Sequence, residues 1–134
     1  MKNMSIIDRG EIKVMKLNYK LWLEEDDEKL FGDGPGELLS RVERTGSLSQ
    51  AAKEMQMSYS QAWHLLKDLE ERLGFPLLEG QAGGSGGGGS QLTEKGKLLT
   101  EQFQSFRREA VSALESLEDK YFTEEFFDSL FDQE

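Results

Sequence analysis

Few residues in this chain could do covalent chemistry. Its 134 residues include no cysteine and a single histidine, His64, so a thiol nucleophile, a disulfide framework and a zinc cluster are excluded for want of atoms. Carboxylates are plentiful. Pairs such as Glu70-Glu71 and Glu124-Glu125, however, are adjacent on helical stretches and point apart, whereas acid–base catalysis needs groups that converge on one substrate. No catalytic residue, metal or cofactor is expected. The acidic run Glu24–Glu28 lacks the glycine and terminal-glutamate pattern of a calcium loop and reads as a solvated hairpin tip. What remains is the chemistry of recognition. Tyr59, Ser60, Gln61, His64, Lys67 and Asp68 share the side of a helix opposite its leucines, so hydroxyl, amide, imidazole and ammonium groups are presented together to an outside partner.

The stretch that must position them runs from Gly46 to Gly74, GSLSQAAKEMQMSYSQAWHLLKDLEERLG. It reads as two short helices joined by a tight turn, the pattern of a helix-turn-helix. Leu48, Ala51, Ala52, Met55, Met57, Ala62, Leu65, Leu66, Leu69 and Leu73 are spaced so that the helices pack against each other, with Ala51 and Ala52 at the close approach. Ser58 starts the second helix. Its hydroxyl can accept from the backbone N–H of Gln61 while the Gln61 side chain reaches back, a capping box.

Around this centre four segments are expected: a loosely held arm over 1–15, a winged helix-turn-helix over 16–92, a long helix over 93–118 and an acidic, aromatic tail over 119–134. From Lys16 the chain alternates, with Leu17, Tyr19, Leu21 and Leu23 on one side, which predicts a strand; Leu30 and Phe31 complete an N-terminal β-hairpin. Gly32-Asp33-Gly34-Pro35-Gly36 breaks the strand and launches a helix across Glu37–Thr45 with Leu38, Leu39 and Val42 buried. After the helix-turn-helix, Phe75-Pro76-Leu77-Leu78 and Gln91-Leu92-Thr93 flank the glycine-rich loop Gly83–Gly89. That loop has the composition of a flexible engineered linker and the Gly84-x-Gly86-x-x-Gly89 spacing of a dinucleotide fingerprint. Yet no helix opens at its last glycine, no βαβ unit surrounds it, and the Gly-Lys-Ser/Thr ending of a phosphate loop is missing. Two flanks that make sense as strands of one hairpin favour a wing. The fold class is mainly α, α+β.

From Thr93 a helix carries Leu99, Phe103, Phe106, Ala110, Ala113 and Leu117 at alternating steps of four and three. This is an a/d seam, read here as a dimerisation surface in preference to packing on its own domain. In the tail, Phe122, Phe126, Phe127, Leu130 and Phe131 fall at helical spacings among acids. The segment is expected to pack as the end of the dimer, with docking to a protein partner as the other use of such a helix.

The formal net charge is −10, awkward for a chain meant to neutralise phosphates. The acid lies at the flanks: counting by segment, residues 101–134 carry −7 and residues 24–45 carry −5, whereas 46–75 carry only −1. Phosphate attraction would then come from a few positions such as Lys53, Lys67, Lys95 and Lys97. No apolar window is long enough to span a bilayer, and the charged N-terminus is unlike a signal peptide, so no membrane association and a cytoplasmic location are expected.

The runs GSLSQAAKEMQMSYSQAWHLL and PLLEGQAGGSGGGGSQLTEKGKLL resemble the N-terminal winged-helix domain of ModE-type molybdate-responsive transcription regulators, itself similar to the LysR-type DNA-binding module. The upstream LWLEEDDEKLFGDGPGELLSRVERTGS is similar as well. The resemblance implies a homodimer, held by N-terminal strands and the long helix, on double-stranded DNA. Tyr59, Ser60, Gln61 and His64 would then read base edges, with Gln61 able to contact adenine bidentately, while Ser58, Lys67 and the wing backbone around Gly84, Ser85 and Gly86 would meet phosphates. Trp63 is expected to pack against a neighbouring helix or the wing. The chain departs from the family pattern where Ser60, Gly80 and Ser85 stand in place of basic residues and Gln56 in place of a turn glycine. After Leu117 only the acidic tail follows, so an oxyanion-sensing domain is not expected. The leading expectation is a dimeric, sequence-specific regulator of molybdenum- or tungsten-related genes; the alternative is a protein-interaction module on the same fold.

Overall fold

The computed structural model describes residues 15–81 and 89–131. In chain order the elements are β1 (Trp22–Glu25), β2 (Glu28–Gly32), α1 (Asp33–Thr45), α2 (Leu48–Glu54), α3 (Tyr59–Leu73), β3 (Leu78–Gln81), β4 (Gly89–Leu92), α4 (Glu94–Tyr121) and α5 (Glu124–Phe131). This is the expected α+β winged helix-turn-helix with an N-terminal hairpin and a long C-terminal helix. The expected arm lies almost wholly outside the described residues, as do the wing-tip residues Gly84, Ser85 and Gly86. Lys20–Phe106 forms one compact unit, and 15–19 with 107–131 belong to a second. The first unit thus runs past the boundary expected at Leu92 and includes the first turns of α4.

The N-terminal hairpin is shorter than the alternation predicts. Pairing is antiparallel, from Trp22↔Gly32 to Glu25↔Glu28, and 15–21 form no strand. The reason lies in the partner: β2 ends at Gly32, where α1 begins, so residues before Trp22 have no ladder to join. A backbone bond from Asp33 N to Leu21 O (2.9 Å) and a return bond from Leu21 N to the Asp33 carboxylate (3.1 Å) close the end instead. At the tip, Asp26 and Asp27 adopt φ of 53° and 65°, the left-handed pair that a two-residue hairpin turn demands and that aspartate tolerates.

α1 starts four residues earlier than expected, inside the glycine-proline break. Pro35 sits in the first turn, where a missing N–H costs nothing. Gly36 is buried because α4 crosses there: a Cβ on Gly36 would stand 3.3 Å from both Phe103 and Gln104. The core of this unit is built from Phe31 of the hairpin, Leu38, Leu39 and Val42 of α1, the alanines and leucines of α2 and α3, Leu77 and Leu92 at the wing base, and Phe103 of α4. Phe31 and Phe103 meet edge to face at 5.4 Å, the geometry that aligns a ring's positive edge with its neighbour's negative face.

α4 is seated by two adjacent residues. The Thr93 hydroxyl caps the helix by accepting from Gly96 N (2.9 Å) and itself donates to Pro76 O (2.7 Å). Gly96 lets the helix lie against the wing base, since a Cβ there would fall 2.5 Å from the Leu77 carbonyl oxygen. By intrinsic propensity a glycine here only weakens the helix; the contact makes it a requirement. The expected seam divides along its length. Leu99 packs on the core and Phe103 is 3% exposed, so these two are spent inside their own unit rather than offered to a partner. Phe106 and Leu117 are 51% and 49% exposed.

In the second unit, Leu17 N donates to the Glu118 carboxylate at 3.0 Å and the Arg107 guanidinium lies over the Tyr19 ring. α5 is capped by Thr123, whose hydroxyl accepts from Phe126 N at 3.0 Å. The rings of Phe122, Phe126 and Phe127 cluster with centroids 5.2 to 6.1 Å apart. α5 buries no residue within the single chain, so the expected packing of the tail is not made by this chain on itself.

Candidate nucleic-acid interface

The two helices of the motif are set by their ends. Gly46, at φ 73°, closes α1 in the left-handed conformation that favours glycine. Ser47 then caps α2, its hydroxyl accepting from Gln50 N at 3.0 Å. Between α2 and α3 the chain turns at Gln56, which adopts φ 59°. This is the position where the family pattern has glycine, and glutamine occupies the same left-handed basin. Met57 N returns to Ala52 O at 2.9 Å. Ala51, Ala52 and Ala62 are buried at the crossing, so the backbones approach as the small residues predict.

The capping box at Ser58 is complete. Gln61 N donates to the Ser58 hydroxyl at 3.0 Å, and Ser58 N donates to Gln61 Oε1 at 2.9 Å. Ala62, Leu66 and Leu69 form the buried stripe of α3. Tyr59, Ser60, Gln61, Trp63, His64, Lys67 and Asp68 are all exposed on the other side, as the spacing requires. Two of these residues bear on what was expected of them. Trp63 is 40% exposed, edge-on to His64 at 5.1 Å and 5.5 Å beneath the Lys67 ammonium, both on its own helix. Gln61 spends one lone pair of its amide oxygen on the cap, so a bidentate contact to adenine would share that oxygen with Ser58 N.

The other expected contact residues divide in the same way. The Ser58 hydroxyl, though accepting the cap bond, keeps its own proton to donate outward. Lys67 is half exposed but paired with Glu70 at 3.1 Å, which reduces what it offers to a phosphate. His64 Nδ1 lies 2.8 Å from the Ser60 carbonyl. Among described residues of the wing, β3 and β4 pair antiparallel from Leu78↔Leu92 to Gln81↔Gly89.

Sequence reading misses what holds the wing to α3. Glu70, only 12% exposed, accepts from Leu77 N at 2.7 Å and from Leu78 N at 3.2 Å. Burial acts to raise its pKa, but the two backbone donors, with Lys67 beside them, outweigh it and hold the carboxyl below its ordinary value. On the far side, Ser90 N donates to Gly46 O at 2.9 Å, tying β4 to the α1–α2 turn. Behind the motif, Glu54 of α2 is gripped by Arg44 and by Arg41, and Arg41 also binds Glu37 at 2.7 Å. Those arginines are engaged with carboxylates of α1 and α2; the pairing with Arg44, then with Arg41, draws the Glu54 carboxyl below its usual value.

A cleft of about 510 Å³ lies between the hairpin, the start of α1 and α3, walled by Trp22, Phe31, Pro35, Leu65 and Leu69. Its polar lining mixes Asp33 and Asp68 with Lys20 and Lys29, so it offers an ionic ligand no net charge. Among the described residues no group of three His, Asp or Glu side chains could hold a metal ion, and no helix is long and apolar enough to cross a membrane.

This arrangement has known counterparts. The family of bacterial regulatory helix-turn-helix proteins of the lysR type matches residues 37–97, which span α1, the motif, the wing and the first turn of α4. The chain is 33% identical over 101 residues to the molybdenum transport protein ModE of Azotobacter vinelandii, covering 75% of this chain and 37% of that protein. It is 33% identical over 93 residues to the DNA-binding transcriptional dual regulator ModE of Escherichia coli (strain K12), covering 69% and 36%. It is 35% identical over 81 residues to the molybdenum-pterin-binding protein MopB of Rhodobacter capsulatus, covering 60% and 30%. The chain therefore spans about a third of the length of these relatives. Among solved structures, ArgP from Mycobacterium tuberculosis matches 64% of this chain and 31% of its own with a TM-score of 0.50 at 23% identity, a likeness of fold. Residues 37–97 are thus similar to regulatory helix-turn-helix proteins.

Proposed function

We propose that this chain is a transcriptional regulator that binds double-stranded DNA as a homodimer and acts on molybdenum-related genes. The observation that carries the reading is the α3 face itself: a helix capped at Ser58, buried on one side and open from Tyr59 to Asp68 on the other, with a wing tied beside it through Glu70. A helix so presented fits the major groove, and the wing base lies where a flanking backbone would pass. Phe106, Ala110, Ala113 and Leu117 supply the apolar line along which two copies would pair. Dimerisation would place two α3 helices on successive turns of one duplex, doubling a face that carries little charge.

Titration of the full chain with duplexes from promoter regions of molybdenum-related genes, at low and moderate salt, tests the reading. We expect binding that weakens with salt along a shallow slope, because Lys67 is shared with Glu70 and few other cations border α3. Binding that is absent, or indifferent to salt, would overturn it. The same sparse charge favours a second reading, a protein-interaction module on this fold, which predicts a stoichiometric protein partner retained without DNA.

A further inference from the structure

Two side chains on the exposed face of α3 have their hydrogen-bonding polarity decided by the helix that carries them. For Gln61 the argument is one of necessity: a backbone N–H can only donate, so the atom 2.9 Å from Ser58 N is the amide oxygen. That bond uses one of the oxygen's two lone pairs and holds it at the cap, so the group Gln61 offers most freely to an outside partner is its amide NH2, a donor. For His64 the partner is a carbonyl, which can only accept. Nδ1, 2.8 Å from the Ser60 carbonyl oxygen and 3.4 Å from the Ser60 hydroxyl, therefore carries the proton. In the neutral ring this leaves Nε2 as an acceptor. Both bonds are local, three and four residues apart on one helix, so they form without DNA and are already in place when DNA arrives.

Resting on the DNA-binding reading above, we infer that Gln61 and His64 are specificity determinants of opposite sign. Gln61 donates its amide hydrogens to O6 or N7 of guanine, to N7 of adenine or to O4 of thymine. His64 accepts at Nε2 from the N4 amine of cytosine or the N6 amine of adenine. A paired donor and acceptor contact from Gln61 to adenine would have to share its oxygen with Ser58 N. The face thus reads bases with neutral groups set by the helix backbone, where Ser60 stands instead of the basic residue of the resembling family.

Selection of bound duplexes from a randomised library by the full chain at pH 8, repeated with two variants, tests this. Gln61→Glu keeps the capping box, because a carboxylate oxygen replaces the amide oxygen toward Ser58 N, but removes the donor. We expect one position of the selected site to move from guanine, adenine or thymine to cytosine, with about tenfold loss on the original sequence. His64→Ala should leave helical content unchanged by circular dichroism, relax a different position from cytosine or adenine to no preference, and weaken the original site about tenfold. Sites that are the same for all three proteins would overturn the assignment while leaving DNA binding intact. So would guanine or thymine at the His64-dependent position. If the unaltered chain enriches no DNA at all, the regulator reading falls and takes this inference with it.

Discussion

Leu99 and Phe103 near the start of α4 and Phe106 and Leu117 further along it share one apolar spacing but meet different surroundings. The first pair is absorbed by a core that closes over it from the hairpin, α1 and the wing base; the second pair stands half exposed along the helix. A period in sequence specifies a face, but whether that face is filled from within the chain or from outside depends on what else the fold brings to it. Here Gly36 and Gly96 decide the matter, because each lets another element come close enough to cover the first turns of α4. No comparable glycine occurs between Phe106 and Leu117.

The contrast can be broken or sharpened by substitution. Phe103→Ala opens a cavity against Phe31 and should cost about 3–5 kcal/mol in chemical denaturation, with the same loss at every protein concentration. Gly96→Ala drives a methyl into the Leu77 carbonyl and should cost about 1–3 kcal/mol. A cost near zero in the same assay would mean that α4 is not pressed against the wing base. Glu70→Gln should lower stability at pH 7 by about 1 kcal/mol by weakening charged bonds to two backbone N–H groups. Because its folded pKa lies below the ordinary 4.5, the carboxylate's contribution is fully present above that value and is lost as pH falls through the lower folded value. Denaturation of wild type and variant at pH 7 and pH 3 should therefore show the gap closing in acid. Last, Phe106→Asp with Leu117→Asp should leave the melting of dilute protein nearly unchanged while lowering the association state seen by sedimentation. A loss like that of Phe103→Ala at all concentrations would erase the distinction between the two pairs.

The parts legible in sequence are those fixed by local rules. The capping box at Ser58, the tight turn between the two helices, the alanine crossing and the exposed face of α3 each follow from residues within a few positions of one another. The strand from Lys16 was over-read, since alternation reports a face but not the length of the partner, and β2 stops at Gly32. α1 was under-read because glycine and proline are breakers within a helix yet harmless in its first turn. The ties of Glu70 to the wing and of Gly96 to Leu77 are tertiary. Nothing in a run of surface-type residues says which carboxylate will meet an unpaired N–H, or which glycine another backbone will approach. Trp63, expected to pack against a neighbouring helix or the wing, sits one residue past Ala62, where the buried stripe turns away from it, and is 40% exposed. Gln61 was legible as a cap, and the bond from Ser58 N to its amide oxygen bears that out.

Gln56 carries a consequence for how the second helix of the motif is aimed. A glycine at that bend could wander across a broad expanse of backbone angles, and the two helices could then scissor. Glutamine has a narrow well on that side of the map, costly to enter and small once entered. The angle at which α3 leaves α2 is accordingly held with less latitude, and a partner meets a blade already set rather than one that must be turned.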